Sequence, residues 1–117
     1  MPAFAFGLPV LPGQEGTIRR MSEEVLNSDS LQNAYAQSRR NLGITKEMVW
    51  LQRTPIGEMV IIYWETENPQ NVLREMANSQ DEFDSQFRQF IENSAPAIDL
   101  SQEQPLSNEL LFEWPPS

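Results

Sequence analysis

Four groups of side chains in this sequence are placed to do chemistry. Trp50 and Tyr63 fall on one parity of two neighbouring apolar runs, so a hairpin makes them direct or diagonal neighbours. Two aromatic planes on one face suit a flat ligand, although packing against another protein surface uses the same residues with no ligand at all. Arg39 and Arg40, followed by Glu47, offer a guanidinium for a ligand carboxylate or for an ion pair; a solvated surface is the favoured expectation. Asp84 lies beside Phe83 and three residues before Phe87. A desolvated carboxylate among such rings is a candidate general base, whereas a place on the helix surface near an arginine, the favoured expectation, gives it no such role. Glu65 and Glu67 flank a strand end, but two carboxylates without a third oxygen ligand make a weak cation site.

Much chemistry is excluded by what is missing. The chain has no His and no Cys, which removes the commonest general base, the thiolate nucleophile and the usual zinc and haem ligands. We therefore expect no metal and no cofactor. No phosphate-cradling glycine loop or nucleophile elbow is present either. The formal charge of −9 is uneven: acids and bases balance over residues 1–64, so the whole excess lies in residues 65–117. Such a field repels phosphate backbones and anionic lipid, so neither nucleic acid nor a membrane is an expected partner. The apolar start "MPAFAFGLPVLPG" lacks a basic leader and carries three prolines, unlike a signal peptide or a membrane span. A cytoplasmic protein is the simplest expectation.

The elements that must position these groups are legible as periodicities. Phe4, Phe6, Leu8 and Val10 alternate with Ala3, Ala5, Gly7 and Pro9, predicting a strand over 3–10 with one bulky and one small face. Ile18, Met21 and Val25, then Leu31, Tyr35 and Leu42, predict helix over 17–42, with a break or kink at "NSDS" (27–30). Gly43 suits the left-handed position after the last turn. Two apolar runs flank "TPIG" and predict a hairpin of strands 46–54 and 58–66, with Arg53 opposite Glu58 and Lys46 opposite Glu65. Asn68 and Pro69 read as cap and first residue of a helix over 69–94, interrupted near Ser79, where "SQDE" has capping-box spacing. Phe83, Phe87, Phe90 and Ile91 form its core stripe. "NELLFEW" alternates again and predicts a last strand over 108–114.

The order is strand, helix, strand, strand, helix, strand, within one domain spanning 1–117. It predicts an α+β fold of ferredoxin-like βαββαβ type, a four-stranded antiparallel sheet with two helices on one face. The hairpin register leaves Val49, Leu51, Val60, Ile62 and Trp64 for the helices and puts Met48, Trp50, Gln52, Met59, Ile61 and Tyr63 on the other side. An apolar face of that size needs cover, and a second copy supplies it most economically. We therefore expect a homodimer.

Several stretches carry a resemblance: "PGQEG" (12–16), "SRRNLGITKEMVWLQ" (38–52), "GEMVIIYWETENP" (57–69) and "NSQDEFDSQF" (78–87). Over roughly residues 3–100 the chain resembles a family of small, functionally uncharacterised bacterial proteins similar to the dimeric α+β barrel superfamily. Near the end of the second helix, where that family often has His or Gly, this chain reads "NSAPAID" (93–99), which withholds a His-based role. The superfamily includes cofactor-free monooxygenases, haem-degrading enzymes, isomerases and ligand-sensing domains, so the resemblance does not select a function. It implies a homodimeric module that binds a small molecule or a partner or, as the alternative, a cofactor-independent monooxygenase- or isomerase-like enzyme for a flat organic substrate. Between sheets, Trp50, Met59, Ile61 and Tyr63 are large enough to fill a hollow. A ligand is therefore expected between sheet and helices, among Phe4 or Phe6, Tyr35, Phe83 and Phe87, with Arg39 and Asp84 at the mouth.

Overall fold

The alternation of Phe4, Phe6 and Leu8 with small residues builds an edge strand. In the computed structural model, which describes residues 2–103 and 106–116, this strand is β1 (Ala3–Pro9). The first helical stretch divides into α1 (Glu15–Asn27) and α2 (Asp29–Leu42). Ser28 makes the division: it is extended, and its hydroxyl accepts from the Leu31 N–H at 3.2 Å, capping α2. Gly43 ends α2 in the left-handed conformation (φ 80°), which a glycine adopts without steric cost.

The hairpin follows as β2 (Ile44–Thr54) and β3 (Gly57–Thr66). Its register places Arg53 opposite Glu58 and Lys46 opposite Glu65, with an irregularity between Ile44 and Lys46. Asn68 caps α3 (Pro69–Asn78) by accepting from the Asn71 N–H, and Pro69 takes the first helical position. The chain then turns through an extended Ser79 into α4 (Glu82–Ser94). The expected capping box does not form. The helix begins after Asp81, which makes no side-chain cap, while the Ser79 hydroxyl donates to Asp84 and accepts from the Asp81 N–H at 3.2 Å.

The sheet has three antiparallel strands in the order β1-β3-β2. Phe4, Phe6 and Leu8 lie opposite Trp64, Ile62 and Val60, and this parity carries the core with Ile18, Val72, Leu73, Met76, Phe87 and Ile91 from the helices. Phe4 stacks on Trp64 at 6.0 Å, and Phe6 meets it edge-on at 5.1 Å. Among the described residues none of the core cluster lies on the opposite sheet face.

The fold differs from the ferredoxin-like expectation. Among the described residues there are three strands and four helices, and residues 108–114 form no strand. Two local causes are visible. The Asn108 side-chain amide donates to the Ala5 carbonyl (3.0 Å) and accepts from the Ala5 N–H (2.7 Å), taking the edge groups of β1 that an added strand needs. Pro9, on the same outward parity, has no N–H to offer. Beyond Asn108 the alternating residues stay in solvent: Leu110, Leu111, Phe112 and Trp114 are 78–86% exposed.

Candidate functional site

Periodicity on α2 and α4 aims one set of polar side chains at the covered sheet face. On α2, Tyr35, Ser38, Arg39 and Leu42 recur at i, i+3, i+4 and i+7. On α4, Phe83, Asp84, Phe87 and Ile91 form the buried side. Glu47 shares its strand parity with Val49 and Leu51, so its carboxylate also points towards the helices.

These groups meet in one buried network. The Arg39 Nε donates to Glu47 Oε1 at 3.0 Å, and its Nη1 donates to the Ser38 hydroxyl at 2.9 Å and lies 3.8 Å from Asp84 Oδ1. Glu47 also accepts from the Tyr35 hydroxyl and the Trp64 indole N–H. Asp84 accepts from the hydroxyls of Ser38 and Ser79. Each of the four carboxylate oxygens therefore accepts at least one hydrogen bond, the condition for keeping a charge away from water. The guanidinium carbon lies 4.7 Å from the Phe87 ring centre, 4.9 Å from Tyr35 and 5.8 Å from Phe83. Three rings thus face one cation. Burial and then the charge of Glu47 push the Tyr35 hydroxyl far above its ordinary pKa of 10.0, so it stays a donor.

Beside this network lies a cavity of ≈ 230 Å³. Ile18, Met21 and Val25 of α1, Val49 of β2 and Phe87 and Phe90 of α4 supply apolar wall, while Tyr35, Arg39 and Glu47 form the polar end. Val49, 48% exposed, stands on the open side. An engineered apolar cavity of about 150 Å³ is enough for benzene, so this one has room for a somewhat larger molecule.

The structure brings Tyr35, Arg39, Phe83 and Phe87 to one place. Asp84 is not at a mouth or on the surface, as the sequence suggested, but buried behind Arg39. Arg39 is buried rather than solvated, and Arg40 alone has the expected surface place. Phe4 and Phe6 pack on Trp64 and do not line the cavity. Trp50 and Tyr63 lie on the opposite sheet face, where the Tyr63 hydroxyl donates to Glu65 Oε2 at 2.8 Å, a bond that raises its pKa. Sequence reasoning passed over the central part of Glu47, although its parity with Val49 and Leu51 signals a carboxylate on a covered face, which requires donors. Ser38 and Ser79 gave no such signal, because serine is ordinary at helix ends and surfaces. Among the described residues no group of three or more His, Cys, Asp or Glu is placed to hold a metal ion, and no helix is long and apolar enough to cross a membrane. Comparison with protein-family models, with curated proteins and with solved structures finds no match for this chain.

Proposed function

We propose that this protein binds a small, largely apolar molecule in the cavity between α1, α4 and the sheet, and that it does so as a cytoplasmic homodimer. The observation that carries the binding site is the cavity itself, with apolar walls and one polar end held rigid by the Arg39–Glu47–Tyr35 network. The saturated carboxylates favour binding over turnover: every oxygen of Glu47 and Asp84 already accepts a hydrogen bond, so a base role costs an existing bond.

Self-association is supported by the shape of the outer sheet face. β1 contributes only Ala3, Ala5, Gly7 and Pro9 there, and β2 contributes Met48, Trp50 and Gln52, with Met59, Ile61 and Tyr63 of β3 between them. A two-fold axis parallel to the strands, between two stacked sheets, sets the bulky β2 of one copy over the small β1 of the other. The face is therefore complementary to itself.

Native mass spectrometry of protein purified under mild conditions tests the site. A bound small molecule, or uptake of added toluene, is expected for the wild type. Val49→Trp, which fills the open side from an exposed position, should abolish it. A wild-type chain that carries nothing and takes up no toluene contradicts the proposal.

A further inference from the structure

The charges around the cavity narrow the class of molecule it can take. Resting on the cavity proposed above, we infer that its ligand is uncharged, mostly hydrocarbon, and bears one hydrogen-bond acceptor (a ketone, ester or similar oxygen) that meets the Arg39 guanidinium. The network holds one guanidinium, Arg39, and two carboxylates, Glu47 and Asp84, all buried. Glu47 lies against the guanidinium at 3.0 Å on the cavity side, and Asp84 stands behind it at 3.8 Å.

A buried arginine beside an apolar pocket ordinarily suggests a carboxylate ligand. Here that arginine is already outnumbered. A ligand carboxylate would be a third anion facing one cation, out of water, in a chain whose formal charge is −9. Desolvating it would find no unspent positive charge to offset the cost. A ligand cation fares no better. The faces of Tyr35, Phe83 and Phe87 that would receive it are occupied by Arg39, whose own charge repels it at the polar end.

An uncharged acceptor meets neither obstacle. The Arg39 Nε and Nη1 are committed to Glu47 and Ser38, but Nη2 has no hydrogen-bond partner among the described residues. It is not among the buried side-chain atoms without a partner, and the Arg39 side chain as a whole is 7% exposed. A donor of this kind, on a residue lining the cavity, is satisfied by one oxygen that brings no charge. The remaining wall, from Ile18 and Met21 to Phe90 and Ile91, asks only for hydrocarbon.

Four probes of nearly equal size separate the classes: 2-octanone, octanoate, octylammonium and octane. Binding to the wild-type chain is followed by saturation-transfer NMR titration at neutral pH. The ketone should bind about tenfold or more tightly than either ion, and more tightly than octane. Asp84→Asn removes one negative charge without touching the cavity wall. It should bring octanoate several-fold closer to the ketone while the ketone's own affinity stays within about twofold. Asp84→Ser provides the same charge change, again away from the cavity wall, should Asp84→Asn fail to fold. If octanoate binds as tightly as the ketone or better, the inference is overturned while the cavity remains a binding site. Equal binding of octane and ketone removes the acceptor contact and overturns it as well. If none of the four probes binds, the cavity itself is not a site, and the proposed function falls with the inference.

Discussion

On the helix side of the sheet, Val60, Ile62 and Trp64 are buried, whereas on the other side Trp50 remains 48% exposed. The two faces belong to the same strands, and both are rich in large apolar residues. They differ in what is laid over them, and the polar groups follow that cover. Glu47, on the helix side, accepts from Tyr35, Arg39 and Trp64. Glu65, on the outer side, accepts from Tyr63 and faces Lys46 across the hairpin. Under cover a carboxylate must be surrounded by donors; at the surface water completes its needs. The difference also locates the two proposed activities. The covered face leaves a cavity beside a rigid network, and the outer face leaves an area for a second copy.

The sharpest way to break the comparison is to remove a member of the covered network. Glu47→Ala leaves Arg39 without its closest buried carboxylate and strips the Tyr35 and Trp64 donors of their acceptor. It should cost about 3–5 kcal/mol in urea unfolding, with Trp64→Ala in the same range through the cavity it opens. A loss below about 1 kcal/mol for Glu47→Ala would place that carboxylate in water instead. On the outer face the expected effect is on association rather than folding. Wild-type protein should scatter light as about twice its 13.5 kDa. Trp50→Glu should move it towards monomer with its circular dichroism unchanged, because a charge buried at an apolar interface costs several kcal/mol.

A smaller effect is expected at alkaline pH. Above about pH 10 the unfolded chain releases the Tyr35 proton while the folded chain, whose Tyr35 titrates higher, keeps it. Stability therefore falls as pH rises beyond that point, and Tyr35→Phe should flatten the fall in a denaturation series from pH 9 to 11 (~1 unit either side of an unperturbed tyrosine). An unchanged slope would put the hydroxyl outside the network. The smallest effect belongs to the exposed segment after Asn108: Phe112→Ser with Trp114→Ser should alter stability by no more than about 0.5 kcal/mol, since neither side chain is covered.

Local signals carried much of the fold. The TPIG turn with its two flanking charge pairs defines the hairpin register, and the observed pairs Arg53–Glu58 and Lys46–Glu65 are those the spacing requires. Asn68-Pro69 and Gly43 mark helix boundaries through backbone chemistry that acts within a few residues. The expected last strand does not form, because alternation reports a possible pattern of faces but not an available neighbour. Leu110, Phe112 and Trp114 alternate correctly, yet Asn108 already takes the Ala5 edge groups. The candidate site was legible where periodicity governs it. Tyr35 and Arg39 share one side of α2, and Phe83 and Phe87 one side of α4. It was illegible where it depends on contacts across the chain: the Ser38–Asp84 bond spans 46 residues, and no local spacing announces it.

A ligand can bind beside Arg39 and Glu47 only if the cavity there is an open volume in the folded protein. Xenon under pressure is the most direct probe, because it enters apolar cavities of this size and needs no polar contact. In a crystal of the wild-type chain, xenon should appear between Met21, Val25, Val49 and Phe87, and it should be absent from the Val49→Trp variant. A crystal in which those four side chains close on one another and exclude xenon, with the rest of the fold intact, would contradict the account.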